Sequence, residues 1–439
     1  MIELEEIRKK IYGAIKGTEL EYCCYFAGGC VRDMYLKRER TDLDICVEKE
    51  EGDKLLANIL QEKGLIRKVV RYQRTDTLMT KIDGYSLELS PTQIRTEMDN
   101  GKVHKTFASV EDDARSRDFT INALMIAIHS GELLDFTQKG IKDLESRLIR
   151  ACESEGKGFV KDPIRILRAV RLAAELDNFT IEEKTGAEIQ NKSFLFEDLN
   201  PLRITRELEK ILLLKSFFKA QYLLQSFQLM SHLLSEFKNI TLDEKTLNWL
   251  KYPELSKLIR TLESVEGRFC FLCLPFYLIR TDSNSEFKVN LEPLISYHCY
   301  FSNKQNRHID NLLYAIRVFL NEFYLKSEME LSHLREAIHK VNDDFEELGI
   351  LLQCVDNYNY KGWMSGTNSA LSKLAIELKN EMDANPFNIT GTEFMEQYQI
   401  KEGKEIGVYL QRALTIWYQN PKLSMSEIMD LAINLPREK

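Results

Sequence analysis

The stretch Phe26-Ala27-Gly28-Gly29-Cys30-Val31-Arg32-Asp33, with Thr41-Asp42-Leu43-Asp44 after it, decides how this chain is read. Two adjacent glycines leaving a strand and opening a helix let backbone amides come close to a phosphate, and the helix N-terminus adds positive potential. Arg32 falls within the first helical turn, placed to reach the same anion, with Asp33 beside it. Asp42 and Asp44 stand two apart at the start of a strand, so both carboxylates leave one face while Leu43 turns to the core. Two hard carboxylate ligands on one strand edge suit Mg²⁺, which also takes oxygens from a substrate phosphate. A lone Asp-x-Asp is a weak signal; preceded by Gly-Gly-x-Val-Arg-Asp, it points to a phosphate and metal site.

Outward from this stretch, the chain to about residue 150 alternates short β-rich runs with helical windows. Residues 3 to 17 read as an opening helix, Tyr22–Ala27 as a strand, Val31–Lys37 as a short helix and Leu43–Glu48 as a second strand. Asp53–Glu62 has helical periodicity. Leu65–Tyr72, Thr77–Ile82 and Tyr85–Ser90 read as strands, the last two joined by Asp83-Gly84, a hairpin signal. On the hairpin strand, Glu88 lies between Leu87 and Leu89, a candidate third metal ligand if its strand neighbours the Asp42–Asp44 strand; otherwise it is an exposed strand glutamate. Residues 111 to 128 read as one long helix and Leu133–Phe136 as a short strand. From Asp162 onward the pattern is almost entirely helical: Ile166, Ala169, Val170 and Ala173, then Ile204, Leu208, Ile211 and Leu212, form apolar helix stripes. Thirteen of the 20 glycines precede Lys215, and the stretch beyond is rich in Leu, Phe and Tyr without a repeat period.

Two more segments carry chemistry. In Ser116-Arg117-Asp118-Phe119-Thr120-Ile121-Asn122-Ala123, Arg117, Asp118 and Asn122 gather donors for phosphate and partners for ribose hydroxyls. In Asp162-Pro163-Ile164-Arg165-Ile166-Leu167-Arg168-Ala169-Val170-Arg171, Pro163 suits a first helical turn and Asp162 an N-cap. Asp162 and Arg165 also share one helix face, with Arg168 and Arg171 following along that side. A carboxylate beside a guanidinium can present an acceptor and a donor fork to the edge of a base.

With Gly-Gly-x-Val-Arg-Asp, Asp-x-Asp, Arg-Asp-Phe-Thr-Ile-Asn-Ala-Leu and Asp-Pro-x-Arg-x-Leu-Arg-Ala in this order, the chain resembles the class II tRNA nucleotidyltransferase and bacterial poly(A) polymerase family. These belong to the DNA polymerase β-like nucleotidyltransferase superfamily. Leu133-Leu134-Asp135-Phe136, with Gly140 and Asp143-Leu144, is similar to the family's head-to-neck connector, and Leu202-Arg203-Ile204-Thr205-Arg206-Glu207-Leu208 to its neck-helix motif. The likeness runs over about residues 22 to 215. It implies an α+β fold: a small mixed-sheet nucleotidyltransferase head (1–150), then an all-helical neck for nucleotide-base recognition (151–215) and a helical body and tail binding tRNA (216–439). It further implies that Asp42 and Asp44 hold two Mg²⁺ ions, with Glu88 a possible third ligand and catalytic partner. Gly28, Gly29, Arg32 and Asp33 would bind the triphosphate, and Arg117, Asp118 and Asn122 the sugar and phosphates of the incoming nucleotide. Asp162 and Arg165 would read the Watson–Crick edge of CTP or ATP, supported by Arg168 and Arg171. The reaction implied is template-independent addition of C, C and A, or a CC-only or A-only subset, to the tRNA 3′ end. The partners implied are that end and the acceptor stem.

The chain departs from the family pattern in places. Lys161 stands where the family carries the glutamate before Asp162, Ser116 precedes Arg117-Asp118 where a second arginine is usual, and Leu202 replaces a glutamate. None of the seven histidines is followed by aspartate, so the phosphohydrolase activity of some relatives is not expected.

Composition narrows the alternatives. The 439 residues are 44% hydrophobic and 29% charged, enough for a real core. Net charge is −8, so any nucleic acid must be met by positive charge focused into a cleft. The acidic balance and the lack of a basic C-terminal extension weigh against a poly(A) polymerase, the runner-up. A local groove from Arg67, Lys68, Arg71 and Arg74 could still serve one. Intact Asp42, Asp44, Arg117, Asp118, Asp162 and Arg165 weigh against a non-catalytic RNA-binding relative. No apolar signal-peptide core opens the chain, and the longest apolar run, Phe269–Ile279, contains Pro275 and is too short to span a bilayer. Nine cysteines without a secretory signal read as free thiols in a cytoplasmic protein, and Cys270 and Cys273 as core rather than zinc ligands. Trp249, Trp363 and Trp417 read as core.

Overall fold

The run Cys24–Ala27 (β1) and the apolar end of Asp42–Val47 (β2) are buried on both sides, and the two strands form the centre of a sheet in the computed structural model of this protein. The structure describes residues 4–39, 42–72, 77–97, 103–234, 250, 253–278, 299–359, 370–401 and 403–435, so Thr41, Arg74, Trp249 and Trp363 lie outside the described residues. These fall into two units, Met1–Leu233 and Leu234–Lys439.

In the first unit, α1 (Leu4–Ile15) leads into β1, then α2 (Gly29–Tyr35), β2 and α3 (Gly52–Glu62). Strands β3 (Val70–Tyr72), β4 (Thr77–Ile82) and β5 (Tyr85–Pro91) extend the sheet on one side; β8 (Met125–Ala127) and β9 (Leu133–Leu134) extend it on the other. The order is β3-β4-β5-β2-β1-β8-β9. β5 runs parallel to β2, with Asp44 opposite Glu88 and Asp42 opposite Ser86, while every other pairing in this sheet is antiparallel. The sheet is therefore mixed, as expected. Asp83 and Gly84 both take positive φ, 49° and 88°, which is what a two-residue hairpin with the sheet's twist requires.

Alternation along β2 separates two jobs. Leu43, Ile45 and Val47 are buried on one face, while Cys46 joins Tyr25, Ala27, Val110, Ala114 and Met125 on the other. Asp42 and Asp44 share the face of Cys46, beneath α4 (Val110–Ser116). A separate hairpin, β6 (Gln93–Glu97) and β7 (Val103–Phe107), was not anticipated.

Two expected elements differ. The expected helix over 111–128 is three elements: α4, a single 3-10 turn at Thr120–Asn122, and β8. Residues Phe119–Ile128 are buried on every side, so they lack the polar face a surface helix needs. Arg117 turns extended (ψ 170°), Phe119 bridges Ala151, and the run ends as a strand beside β1. The expected strand Leu65–Tyr72 shrinks to Val70–Tyr72, because Leu65 and Ile66 instead donate their amides to Leu60 O and finish α3.

Beyond α5 (Gly140–Glu145), β10 (Leu148–Ile149) pairs in parallel with β11 (Thr180–Ile181), an exception to the helical reading. Between them stand α6 (Lys157–Lys161) and α7 (Arg165–Glu175), followed by α8 (Glu183–Lys192), α9 (Pro201–Leu212), α10 (Phe217–Ser226) and α11 (Met230–Leu233). The predicted stripes of α7 and α9 are buried, and Asn200 caps α9 ahead of Pro201.

The described part of the second unit is helical. Ser302/Gln305, Thr390/Glu393 and Ser424/Glu427 form capping boxes that start helices Asn303–Leu320, Gly391–Tyr398 and Met425–Asn434. Cys270 and Cys273 lie fully buried within helix Val265–Tyr277, and Trp417 is buried. Among the described residues no helix is long and apolar enough to cross a membrane.

Candidate active site

The C-terminal end of β1 and the N-terminal end of β2 meet at Gly28. Its φ of 74° and ψ of −138° belong to a backbone region essentially reserved for glycine. A side chain there would also sit 3.0 Å from Arg117 Nη1 and 3.5 Å from Asp44 Oδ2. This glycine thus brings a bare backbone, a carboxylate and a guanidinium to one corner. Asp113 in α4 aims Arg117 there, accepting from its Nε at 2.9 Å and Nη2 at 2.8 Å, while its other oxygen accepts from Gln93 N at 2.8 Å. Burial opposes the Arg117 charge, yet Asp113 and Asp44 outweigh it and hold the guanidinium firmly protonated.

Asp42 is exposed, and Asp44 and Glu88 are half-buried. Glu88 is Asp44's register partner, as the neighbouring-strand reading required. Among the described residues, however, no three His, Cys, Asp or Glu side chains gather closely enough to hold a metal unaided. A pair of carboxylates on an open edge fits a hard divalent ion whose remaining ligands are water and phosphate oxygens, and does not fit a protein-caged zinc. Cys30 adds no ligand: burial, helped by Asp44, pushes its thiol up to about 12.

Arg32 is not free to sweep across the cleft. Only 2% exposed, it donates Nε and Nη2 to Asp33 at 2.8 and 3.0 Å and Nη1 to Asn122 Oδ1 at 2.7 Å. Asn122 Nδ2 donates onward to Asp118 Oδ1 at 3.1 Å. Asp118 Oδ2 accepts Arg168 Nε at 2.8 Å and Nη2 at 2.6 Å. A continuous chain, from buried Asp33, Arg32 and Asn122 to half-buried Asp118 and Arg168, therefore ties α2 to α7 through the 3-10 turn. Burial alone would raise the Asp118 carboxyl, but Arg168, Arg165 and the Asn122 amide bring it well below the usual range. Arg117 and Asn122, read from the sequence as parts of one long helix, both lie beyond its break after Ser116.

Asp162 is not a side-chain N-cap. Only its backbone oxygen accepts from Arg165 N; the residue before α7 is Ile164, and Asp162 Oδ1 accepts from Arg203 Nη2 at 2.8 Å. Pro163 and Ile164 form a tight turn that frees the Asp162 carboxylate for the cleft. Arg165, 8% exposed, donates Nη1 to Arg117 O at 3.2 Å and Nη2 to Ser116 O at 2.8 Å. Arg171 pairs with Glu207 of α9 and, at 2.7 Å, with Glu175.

All these groups line one cavity of about 1950 Å³. Gly28, Gly29, Asp42, Asp44 and Glu88 lie at the sheet edge; Arg117, Asp118 and Asn122 lie between; Asp162, Arg165, Arg168 and Arg171 come from the region of α7. Sequence reading missed Asp113, Arg203 and Lys210, which also line it. The four-residue spacing of Asp113 and Arg117 was a usable signal, as was the seven-residue spacing of Arg203 and Lys210. The pairing of Asp162 with Arg203, far apart in sequence, had none. Arg67, Lys68 and Arg71 are exposed beside or on β3.

The chain is similar to several known proteins. Residues 24–150 match the family model described as "Poly A polymerase head domain", and residues 178–241 match "Probable RNA and SrmB-binding site of polymerase A". Over 204 residues the chain is 36% identical to a CCA-adding enzyme of Limosilactobacillus reuteri, covering 45% of this chain and 47% of that one. The chain thus spans about half the length of the curated relatives it matches. Among solved structures, a CCA-adding enzyme in an apo form aligns over 99% of this chain and 96% of its own, with TM-score 0.66 and 21% identity. The Thermotoga maritima CCA-adding enzyme complexed with tRNA aligns over 98% and 94%, with TM-score 0.61 and 20% identity. At these identities the structural likeness speaks for the fold.

Proposed function

Because this chain belongs to the class II CCA-adding enzyme and poly(A) polymerase family of nucleotidyltransferases, we propose that it adds C, C and A to the 3′ end of tRNA from CTP and ATP, without a nucleic-acid template. The observation that carries this reading is one cavity lined both by an acidic strand edge and by the Asp162 carboxylate and the Arg165 guanidinium. A nucleoside triphosphate spans such a cleft with its phosphates at Gly28 and Gly29 and its base at Asp162 and Arg165. The relatives' association with CCA addition and with tRNA supports the same substrates.

The family works with divalent metal ions, and Asp42 and Asp44, with Glu88 beside them, would hold Mg²⁺. When bound, it would favour ionisation of the RNA 3′-hydroxyl and neutralise the departing pyrophosphate. The chain's own groups do the rest. The open backbone at Gly28 and Gly29 receives the triphosphate, and Arg117, locked by Asp113, meets its charge. Asp118 and Asn122, fixed by Arg168 and Arg32, offer hydrogen bonds to the sugar. Asp162 and Arg165 supply an acceptor and a donor fork to the base edge, replacing the partner a template would provide. The 3′ oxygen bonds to the α-phosphorus as the bond to pyrophosphate breaks, and positioning accounts for much of the acceleration. The second unit, in this reading, holds the tRNA acceptor stem by shape and backbone, with the head at 1–150, the neck at 151–215 and the body and tail beyond. The setting for this work is the cytoplasm.

The test is incubation of the full chain and Mg²⁺ with tRNA lacking three terminal nucleotides, ending in C, or ending in CC, each with labelled CTP, ATP or both. The expected result is C, C and A in order, stopping at the completed end. Stopping after CC, or use of the CC-ended tRNA alone, assigns half of a split pathway. Long A tails assign a poly(A) polymerase, and no incorporation leaves an RNA-binding protein.

A further inference from the structure

Glu153 lies between β10 and α6, outside the cavity lining. Its Oε2 accepts from Lys161 Nζ at 2.5 Å, but its Oε1 is buried without a hydrogen-bond partner. An unsatisfied buried carboxylate oxygen is costly and calls for an explanation. A guanidinium lies close by. Arg165 Nη1 and Glu153 Cβ both border Gly158, where an added Cβ would stand 3.1 Å from the first and 3.7 Å from the second. Arg165 nevertheless gives its Nη donors to the neutral carbonyls of Ser116 and Arg117. Charge-assisted bonds are the stronger kind, so a cation resting on two carbonyls, with an unpaired carboxylate oxygen on the side chain that borders Gly158 with it, has two seats available. The same carboxylate grips Lys161, the residue before Asp162, while Arg203 holds the Asp162 carboxylate from α9.

Resting on the function proposed above, we infer that Glu153 is a positioning residue for nucleotide choice, its open oxygen serving as the second seat of the Arg165 guanidinium. From the carbonyl seat Arg165 turns one set of N–H groups toward the base, and from the carboxylate seat another. The pairing with Lys161 anchors the segment that carries Asp162 in both states. Selection between CTP and ATP thus depends on a side chain that never touches the nucleotide.

The test uses the full chain and three variants. KM and kcat are measured for CTP on tRNA lacking three nucleotides and for ATP on tRNA ending in CC. Glu153→Gln weakens the second seat and is expected to shift the ATP-to-CTP ratio of kcat/KM about tenfold, through KM for one nucleotide. Gly158→Ala crowds Arg165 in the carbonyl seat and should shift the ratio the opposite way. The reversed pair Glu153→Lys with Lys161→Glu keeps an ion pair and a melting temperature within about 2 °C of the parent, yet should not restore the ratio. Equal losses for both nucleotides in Glu153→Gln, a ratio within about twofold of the parent, shifts in one direction for both single variants, or full restoration by the reversed pair would each overturn the inference. A parent chain that incorporates neither nucleotide would overturn the proposed function itself, and this inference with it.

Discussion

Both units bury charged side chains, and they use them differently. In the second unit Arg335, 6% exposed, donates to the terminal carbonyls of Tyr418 and Gln419 and pairs with Glu381, closing one helix end against its neighbours. Arg268 likewise donates to Leu262 O, and Glu322 accepts from Glu330 N. These charges reach backbone groups at or near helix ends, and Glu322 also holds Lys326 and His333. In the first unit a longer run passes from side chain to side chain, Asp33 to Arg32 to Asn122 and on to half-buried Asp118 and Arg168, and it borders a cavity. Burial of charge is thus common to both; what marks a site is a network that faces open space.

Cutting each network sharpens that contrast. Asp118→Asn leaves Arg168 and Asn122 mispaired and should cost about 3 kcal/mol in denaturant unfolding, with kcat falling as well. Arg335→Met should cost about 2 kcal/mol, while turnover per folded molecule stays at the parent level; a matching loss of turnover would break the distinction. Gly28→Ala forces a side chain into a glycine-only conformation against Arg117, at about 1–2 kcal/mol, and should raise KM for both nucleotides.

The smallest effects are in pH. The lowered Asp118 carboxyl contributes stability that is complete above its ordinary value of about 4 and is lost as pH falls from there toward the native value. His308 in the second unit has the opposite sign. Burial lowers it, but Glu347 and Asp344 prevail and raise it. Its contribution is complete below about pH 6.5 and is lost as pH rises through the raised native value. Melting profiles against pH should therefore lose their acid limb in Asp118→Asn. In His308→Gln they should lose about 1 kcal/mol on the acid side, below about pH 6.5.

Much of this was legible in the chain itself. Strict alternation at Asp42-Leu43-Asp44, the Asp83-Gly84 turn and the i, i+3, i+4 stripes of α7 and α9 are local patterns, and they located the sheet edge and these two helices. The misread helix over 111–128 shows the limit. Its apolar run is continuous, and only the demand for a strand beside β1, a tertiary requirement, resolves it into turn and strand. Arg203 on Asp162 and Arg32 on Asn122 join residues distant in sequence, so no spacing rule could reveal that two of the expected ligand-binding groups are held by neighbours. Lys161, a departure from the family motif, became intelligible only with Glu153 across from it.

On the function proposed above, one cavity both binds the nucleotide and reacts it, with the acidic strand edge serving the reaction. Equilibrium CTP binding and CTP incorporation into tRNA lacking three nucleotides, measured side by side for the parent chain and Asp44→Asn, test this most directly. Asp44→Asn is expected to keep CTP affinity within about tenfold while incorporation drops at least about a thousandfold. Incorporation near the parent rate in Asp44→Asn would contradict it.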